Sequence, residues 1–220
     1  MQDGGAARKN SMTGLERREA ILGHALSNTR GEERHTMAMP NTARAWTLEE
    51  LHRLPDDGNK YELVDGELFV TPAPKEDHET IAARLTDLLG PYVAAHRLGR
   101  VYRPRAIMRY KGSEVEPDLM ARAERMRPKE SWENAPMPVL IVEILSDSTR
   151  RRDFSQKRDF YMKSGIPAYW IVDGDRRCVT VVRPDREDVV VSTTLEWSPR
   201  GVQTPLSISV EELFADAGEQ

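Results

Sequence analysis

Glu143 stands near the end of an apolar run, Val139, Leu140, Ile141 and Val142. A run of that kind reads as a strand buried on both faces. An unpaired charge there costs several kcal/mol or more, so Glu143 needs a partner. Two residues can serve: Asp118, in the Glu116-Pro117-Asp118 segment, and Lys157, on the helix expected after the strand. Two carboxylates and a lysine at one point suit metal-dependent hydrolysis of a phosphodiester. That chemistry needs a metal for the developing charge, an activated water and help for the leaving oxygen. Mg²⁺ takes oxygen ligands and keeps several waters, so Asp118, Glu143 and the carbonyl of Ile144 would suffice, with Mn²⁺ as a substitute. A lysine beside the attacking water can orient it, or deprotonate it if the site lowers its pKa. Glu62 is a weaker candidate for a further acid, because acids on hairpins usually face water. His78 is a candidate for an accessory proton or phosphate contact. The alternative is structural: Glu143 and Lys157 as an ion pair, and Asp118 as a surface turn acid.

The elements that must hold these residues follow from local patterns. Thr47 and Glu50 form a capping-box pair ahead of a short helix. Asp65-Gly66, inside 61–71, signals a hairpin. A helical stripe runs through 78–96 at Ile81, Leu85, Leu88, Leu89, Tyr92 and Val93, with Gly99 as its stop. Residues 101–111 alternate and place Arg103, Arg105, Arg109 and Lys111 on one face, either solvated or in contact with phosphates. A strand is expected over 114–120, distorted at Pro117 so that Asp118 is aimed into a site. The segment 121–138 reads as a connecting loop. Ser146, Asp147, Ser148 and Thr149 can cap a helix over 150–163, ended by Gly165 at C′. Phe154 and Tyr161 form its apolar stripe, and Asp153 shares a face with Lys157. Arg150, Arg151 and Arg152 oppose the dipole at that helix start, which favours an anionic partner. A strand over 168–173, a β-meander over 178–194 and a short helix over 210–214 complete the chain.

Composition is compatible with this picture. Of 220 residues, 39% are hydrophobic and 31% charged, as in a globular domain with a real core. No apolar run approaches the roughly 20 residues of a membrane helix, and the start lacks a signal-peptide pattern. One cysteine, Cys178, excludes an internal disulfide and a cysteine-rich zinc site. The cytoplasm is the expected compartment. A net charge of −4 argues against tight non-specific nucleic-acid binding driven by total charge. Residues 1–39 read as a dispensable extension, and 40–220 as the domain.

The order of these motifs resembles a known family. Pro117-Asp118 followed by Glu143 on a buried strand resembles the PD-(D/E)XK nuclease superfamily. Its usual lysine, two residues after the second acid, is replaced here by Leu145. Within that superfamily the chain is similar to the Uma-type restriction-endonuclease-like proteins. It carries YELVDGEL from Tyr61, His78, Pro117-Asp118, EILSDST from Glu143, Asp153 with Lys157, and Tyr-Trp-Ile-Val from Tyr169. Asp147 stands where that pattern has Pro. The resemblance covers residues 47–214. It implies an α/β fold, a restriction-endonuclease-like mixed β-sheet core flanked by helices. It also implies a lysine that has migrated to the helix, at Lys157. Leu145 shares a strand face with Glu143, so the lysine's usual place is an apolar gap that a lysine on the next helix can fill. The expected activity is Mg²⁺-dependent endonuclease action on DNA, with a homodimer as one way to cut both strands. Against it stand a catalytically silent nucleic-acid-binding or interaction module, and a hydrolase of another phosphoester.

Overall fold

The structure is a computed structural model that describes residues 44–122, 132 and 135–215. The expected extension over 1–39, its boundary with the domain, and most of the 121–138 connection lie outside the described residues.

The described residues open with α1 (Leu48–Leu51). The Thr47 hydroxyl accepts from the Glu50 N–H while the Glu50 carboxylate accepts from the Thr47 N–H, so the capping box is formed. The hairpin β1 (Lys60–Val64) and β2 (Glu67–Thr71) follows. Asp65 and Gly66 join its strands with φ of 49° and 85°, the left-handed pair that a tight two-residue hairpin requires. Next comes α2 (Glu76–Ala95), which starts two residues before His78. It ends earlier than Gly99 suggests. Arg97 takes the left-handed conformation at φ 55°, and the Leu98 N–H reaches back to the Val93 carbonyl at 2.9 Å.

Two expected strands divide. Residues 101–111 supply β3 (Arg100–Tyr102) and β4 (Met108–Tyr110), and 114–120 supply β5 (Ser113–Val115) and β6 (Leu119–Arg122). β4 and β5 belong to a four-stranded antiparallel sheet of order β2-β1-β5-β4. β3 and β6 belong to a six-stranded sheet that also contains β7 (Pro138–Ile144), β8 (Tyr169–Asp173), β9 (Cys178–Val182) and β10 (Val189–Val191). Its order is β10-β9-β8-β7-β6-β3. Pro117 has no N–H to continue a ladder, and the chain changes sheets at Glu116-Pro117-Asp118. Uninterrupted alternation over 101–111 carries no sign of such a change.

Among the described strands of the large sheet, only β7 and β8 pair in parallel. Parallel neighbours need a crossover, and it is helical: α3 (Arg150–Arg152), a π-helical turn (Asp153–Lys157) and α4 (Arg158–Lys163). Gly165, at φ 79°, follows its end as expected. β11 (Thr194–Trp197), β12 (Leu206–Ser209) and α5 (Val210–Leu213) close the described chain.

Alternation along β7 divides the core. Leu140, Val142 and Ile144 pack with Ile81, Leu85, Leu89 and Val93 of α2 on one face. Ile141 packs with Phe160 and Tyr161 of α4 and with Val64 and Val115 of the small sheet on the other. Glu143, two residues from Ile141, shares that second face and so looks toward the crossover and the hairpin sheet.

Candidate active site

Asp118 sits where the chain steps between sheets, and it is nearly fully buried. Its Oδ2 accepts from the Ile144 N–H at 2.8 Å and faces His78 Nε2 at 3.1 Å. Its Oδ1 accepts from Lys60 Nζ at 3.0 Å, and the same ammonium donates to the Glu116 carbonyl at 3.1 Å. On the adjacent strand, Glu143 Oε1 accepts from Lys157 Nζ at 2.8 Å and from the Tyr161 hydroxyl at 2.6 Å. Lys157 is wholly buried and lies equally close, at 2.8 Å, to Glu62 Oε1. Glu62 in turn accepts from the Glu116 N–H at 2.9 Å. Arg152 stacks over the Phe69 ring, donates to the Thr71 hydroxyl at 2.8 Å and stands 3.8 Å from Glu62 Oε2.

Every residue expected at the site is therefore gathered there: Asp118, Glu143, Ile144, Lys157, Glu62 and His78. Glu62 departs from the rule for hairpin acids. It is fully buried because β1 folds its inward face over the π-helical turn. That turn, with Lys157 at its end, brings Lys157 and Asp153 inward and leaves Phe154 exposed. The expected apolar stripe thus loses Phe154, because the helix face toward Glu143 must carry its counter-charge. The arginine triplet is divided, with Arg151 exposed. Arg150 pairs with Asp173 and Asp175, and Arg152 turns inward. Three arginines of the cationic face of 101–111 are paired with acids, Arg103 with Glu79, Arg105 with Asp56 and Arg109 with Glu114, while Lys111 lies exposed over the Tyr110 ring. Lys60 is the residue the sequence reading missed. The signal was there, since Lys60 and Glu62 are two apart on a strand and share a face.

Burial and charge act against each other at these groups. Burial pushes Glu143 up to about 7 despite Lys157. Burial also opposes ionisation of Asp118, but Lys60, His78 and the Ile144 N–H outweigh it and hold Asp118 well below the usual carboxylate range. For Glu62, burial is outweighed by Lys157, Lys60 and Arg152, and its value is lowered. Lys157 is raised because Glu143 and Glu62 overcome its desolvation. Without a metal it is held as an ammonium. The Asp118 partnership raises His78 against the effect of burial.

The site opens into a cleft of about 740 Å³, lined among others by Lys60, His78, Arg105, Asp118, Glu143 and Ser148. Among the described residues, no three His, Cys, Asp or Glu side chains are grouped to hold a metal by side chains alone. Any ion here would need carbonyl and water oxygens to complete its shell, which is the habit of Mg²⁺. No helix among the described residues is long and apolar enough to cross a membrane.

A mixed sheet with Asp118 just ahead of one central strand, Glu143 on the next and a lysine of the helical crossover on Glu143 defines a restriction-endonuclease-like fold. The chain belongs to the Uma2 family, whose model, described as "Putative restriction endonuclease", matches residues 48–216. It is also similar to the crystal structure of "a putative nuclease belonging to DUF820 from Anabaena variabilis ATCC 29413". That likeness has a TM-score of 0.60 and 22% identity, over 77% of this chain and 97% of that one, and it bears on the fold. A comparison with curated proteins finds no match.

Proposed function

We propose that the protein is a metal-dependent endonuclease of the PD-(D/E)XK type that hydrolyses phosphodiester bonds in DNA. The observation that carries this reading is that Asp118 and Glu143, from separate elements, line one cleft, with Lys157 of the crossover buried against Glu143. The donor set fits a hard cation. An ammonium, Lys60 Nζ, already rests on Asp118 Oδ1 and the Glu116 carbonyl, both oxygens of the kind Mg²⁺ or Mn²⁺ takes. Asp118, Glu143 and the Ile144 carbonyl would hold the ion. Bound there, it supplies Lewis-acid stabilisation of charge developing on the phosphodiester and polarises the attacking water. The protein's own groups do the positioning. Lys157 clamps Glu143 and Glu62, Tyr161 fixes the same Glu143 oxygen, and His78 with the Ile144 N–H orients Asp118. A cytoplasmic location and a homodimer that cuts both strands belong to the same proposal.

A second reading has its own support. With Lys60 on Asp118 the acids are already matched by cations, as in a catalytically silent nucleic-acid-binding module. Nicking of supercoiled plasmid in Mg²⁺ or Mn²⁺ separates the two. Wild type should nick, and folded Asp118→Asn, Glu143→Gln and Lys157→Met should each lose activity by about 100-fold or more, as when preorganised charge is removed from a site. A folded wild type that neither nicks plasmid nor binds Mn²⁺ by calorimetry selects the silent module.

A further inference from the structure

Each acid buried around the site already faces a basic side chain. Glu62, Asp118, Glu143 and Asp153 are the acids, and all four are nearly inaccessible. Lys60, Arg152, Lys157 and His78 face them, with side chains at most 16% exposed. A divalent ion gains affinity from the negative charge its ligands carry, so it gains little from a set that is already neutralised. One of these cations has to leave the ligands if a metal is to stay. Arg152 is held by the Phe69 ring and the Thr71 hydroxyl. Lys157 is wholly buried between two glutamates, and His78 is fixed in α2, where its ring can only reorient. Lys60 alone combines direct contact with Asp118, a flexible stem and a position on the cleft wall.

We propose that Lys60, anchored on the Glu116 carbonyl, is a built-in counter-ion that occupies the metal's place on Asp118, and that metal binding must displace it into the cleft. The proposal rests on the metal-dependent reading above. It makes the empty site a stable, folded state, and it sets metal affinity by competition between the chain's own ammonium and the incoming ion. Displacement also delivers a positive charge into the cleft where the substrate phosphate enters.

The test is calorimetry of the full chain with MnCl₂ at pH 7.5, for wild type, Lys60→Met and Asp118→Asn. Met keeps the aliphatic stem and removes the charge. Lys60→Met should bind Mn²⁺ at least about tenfold more tightly than wild type, and Asp118→Asn should not bind. In parallel, the ¹⁵N signal of the Lys60 ammonium in lysine-labelled wild type should be hydrogen-bonded and slow to exchange in chelator. At saturating Mg²⁺ it should shift to the fast-exchanging position of a free amine. This arm decides the matter if Lys60→Met does not fold. Binding by Lys60→Met within twofold of wild type, or an ammonium signal untouched by Mg²⁺ in a chain that binds it, overturns the counter-ion and leaves the metal site standing. No Mn²⁺ binding by either protein overturns both.

Discussion

Lys157→Met gives the sharpest test of the buried charge arrangement. Lys157 Nζ lies 2.8 Å from one oxygen of Glu62 and 2.8 Å from one of Glu143, so those oxygens are at most twice that distance apart, about 5.6 Å. With the ammonium gone, two unit charges at that spacing repel by about 3 kcal/mol at an effective dielectric of about 20. That matches the roughly 3–5 kcal/mol typical of removing one partner from a buried pair. Glu143 relieves that repulsion by keeping its proton, since its value is already about 7 beside Lys157 and rises once the ammonium is gone. Glu62 then remains a buried charge without Lys157, and neutralising it costs about 1.4 kcal/mol for each pH unit above a carboxyl's ordinary value, about 4 kcal/mol at pH 7.5. At pH 5.5 neutralising Glu62 costs only about 1.4 kcal/mol, so the penalty falls to about half. A domain of this size loses roughly 2–4 °C of Tm per kcal/mol, so the expected drop is about 6–12 °C at pH 7.5 and about half that at pH 5.5. Thermal melts followed by circular dichroism at the two pH values, without metal, measure it. A drop under about 2 °C at pH 7.5, or an equal drop at both pH values, refutes the reasoning. Adding Glu62→Gln to Lys157→Met should recover most of the loss, since the buried charge left without its ammonium is then removed.

Two further outcomes follow from the same groups. Tyr161→Phe removes the 2.6 Å hydrogen bond to Glu143. It should cost about 1.5–3 kcal/mol, the range for bonds to charged groups, read from the urea midpoint; an unchanged midpoint would mean that the hydroxyl contributes nothing. In the metal-free protein the Glu143 carboxyl should titrate by ¹³C NMR with a midpoint near 7. The folded value lies above the ordinary 4.5. Between those values the folded chain keeps a proton the unfolded chain has lost, so Glu143's contribution to stability is full below about 4.5 and fades as pH rises through about 7. A measured midpoint below 5 would show that Lys157 outweighs burial.

Asp118, Glu143 and Lys157 were legible because each left a local mark. Glu143 interrupts an apolar run, Pro117 announces a broken ladder beside Asp118, and Leu145 leaves a gap that a helix lysine can fill. The strand, helix and strand that become β7, the crossover and β8 were legible from hydrophobic pattern and the Gly165 stop, but not their parallel pairing. The sheet change inside 101–111 was not, because alternation reports only which way side chains point, not which sheet they join. Glu62 was weighed as a surface acid for a related reason: its burial is decided by what covers β1, which is tertiary information. Lys60 follows from Glu62 once that burial is known. β1 presents a cation and an acid two residues apart on its inward face, and they meet opposite charges, Lys60 on Asp118 and Glu62 on Lys157. A one-residue slip of the hairpin would replace both with Tyr61 and Leu63 and leave Asp118 and Lys157 each short of a buried counter-charge. The charge pair therefore fixes the register of β1 against the site, and the hairpin sheet is seated by the same groups that prepare Asp118 and Glu143.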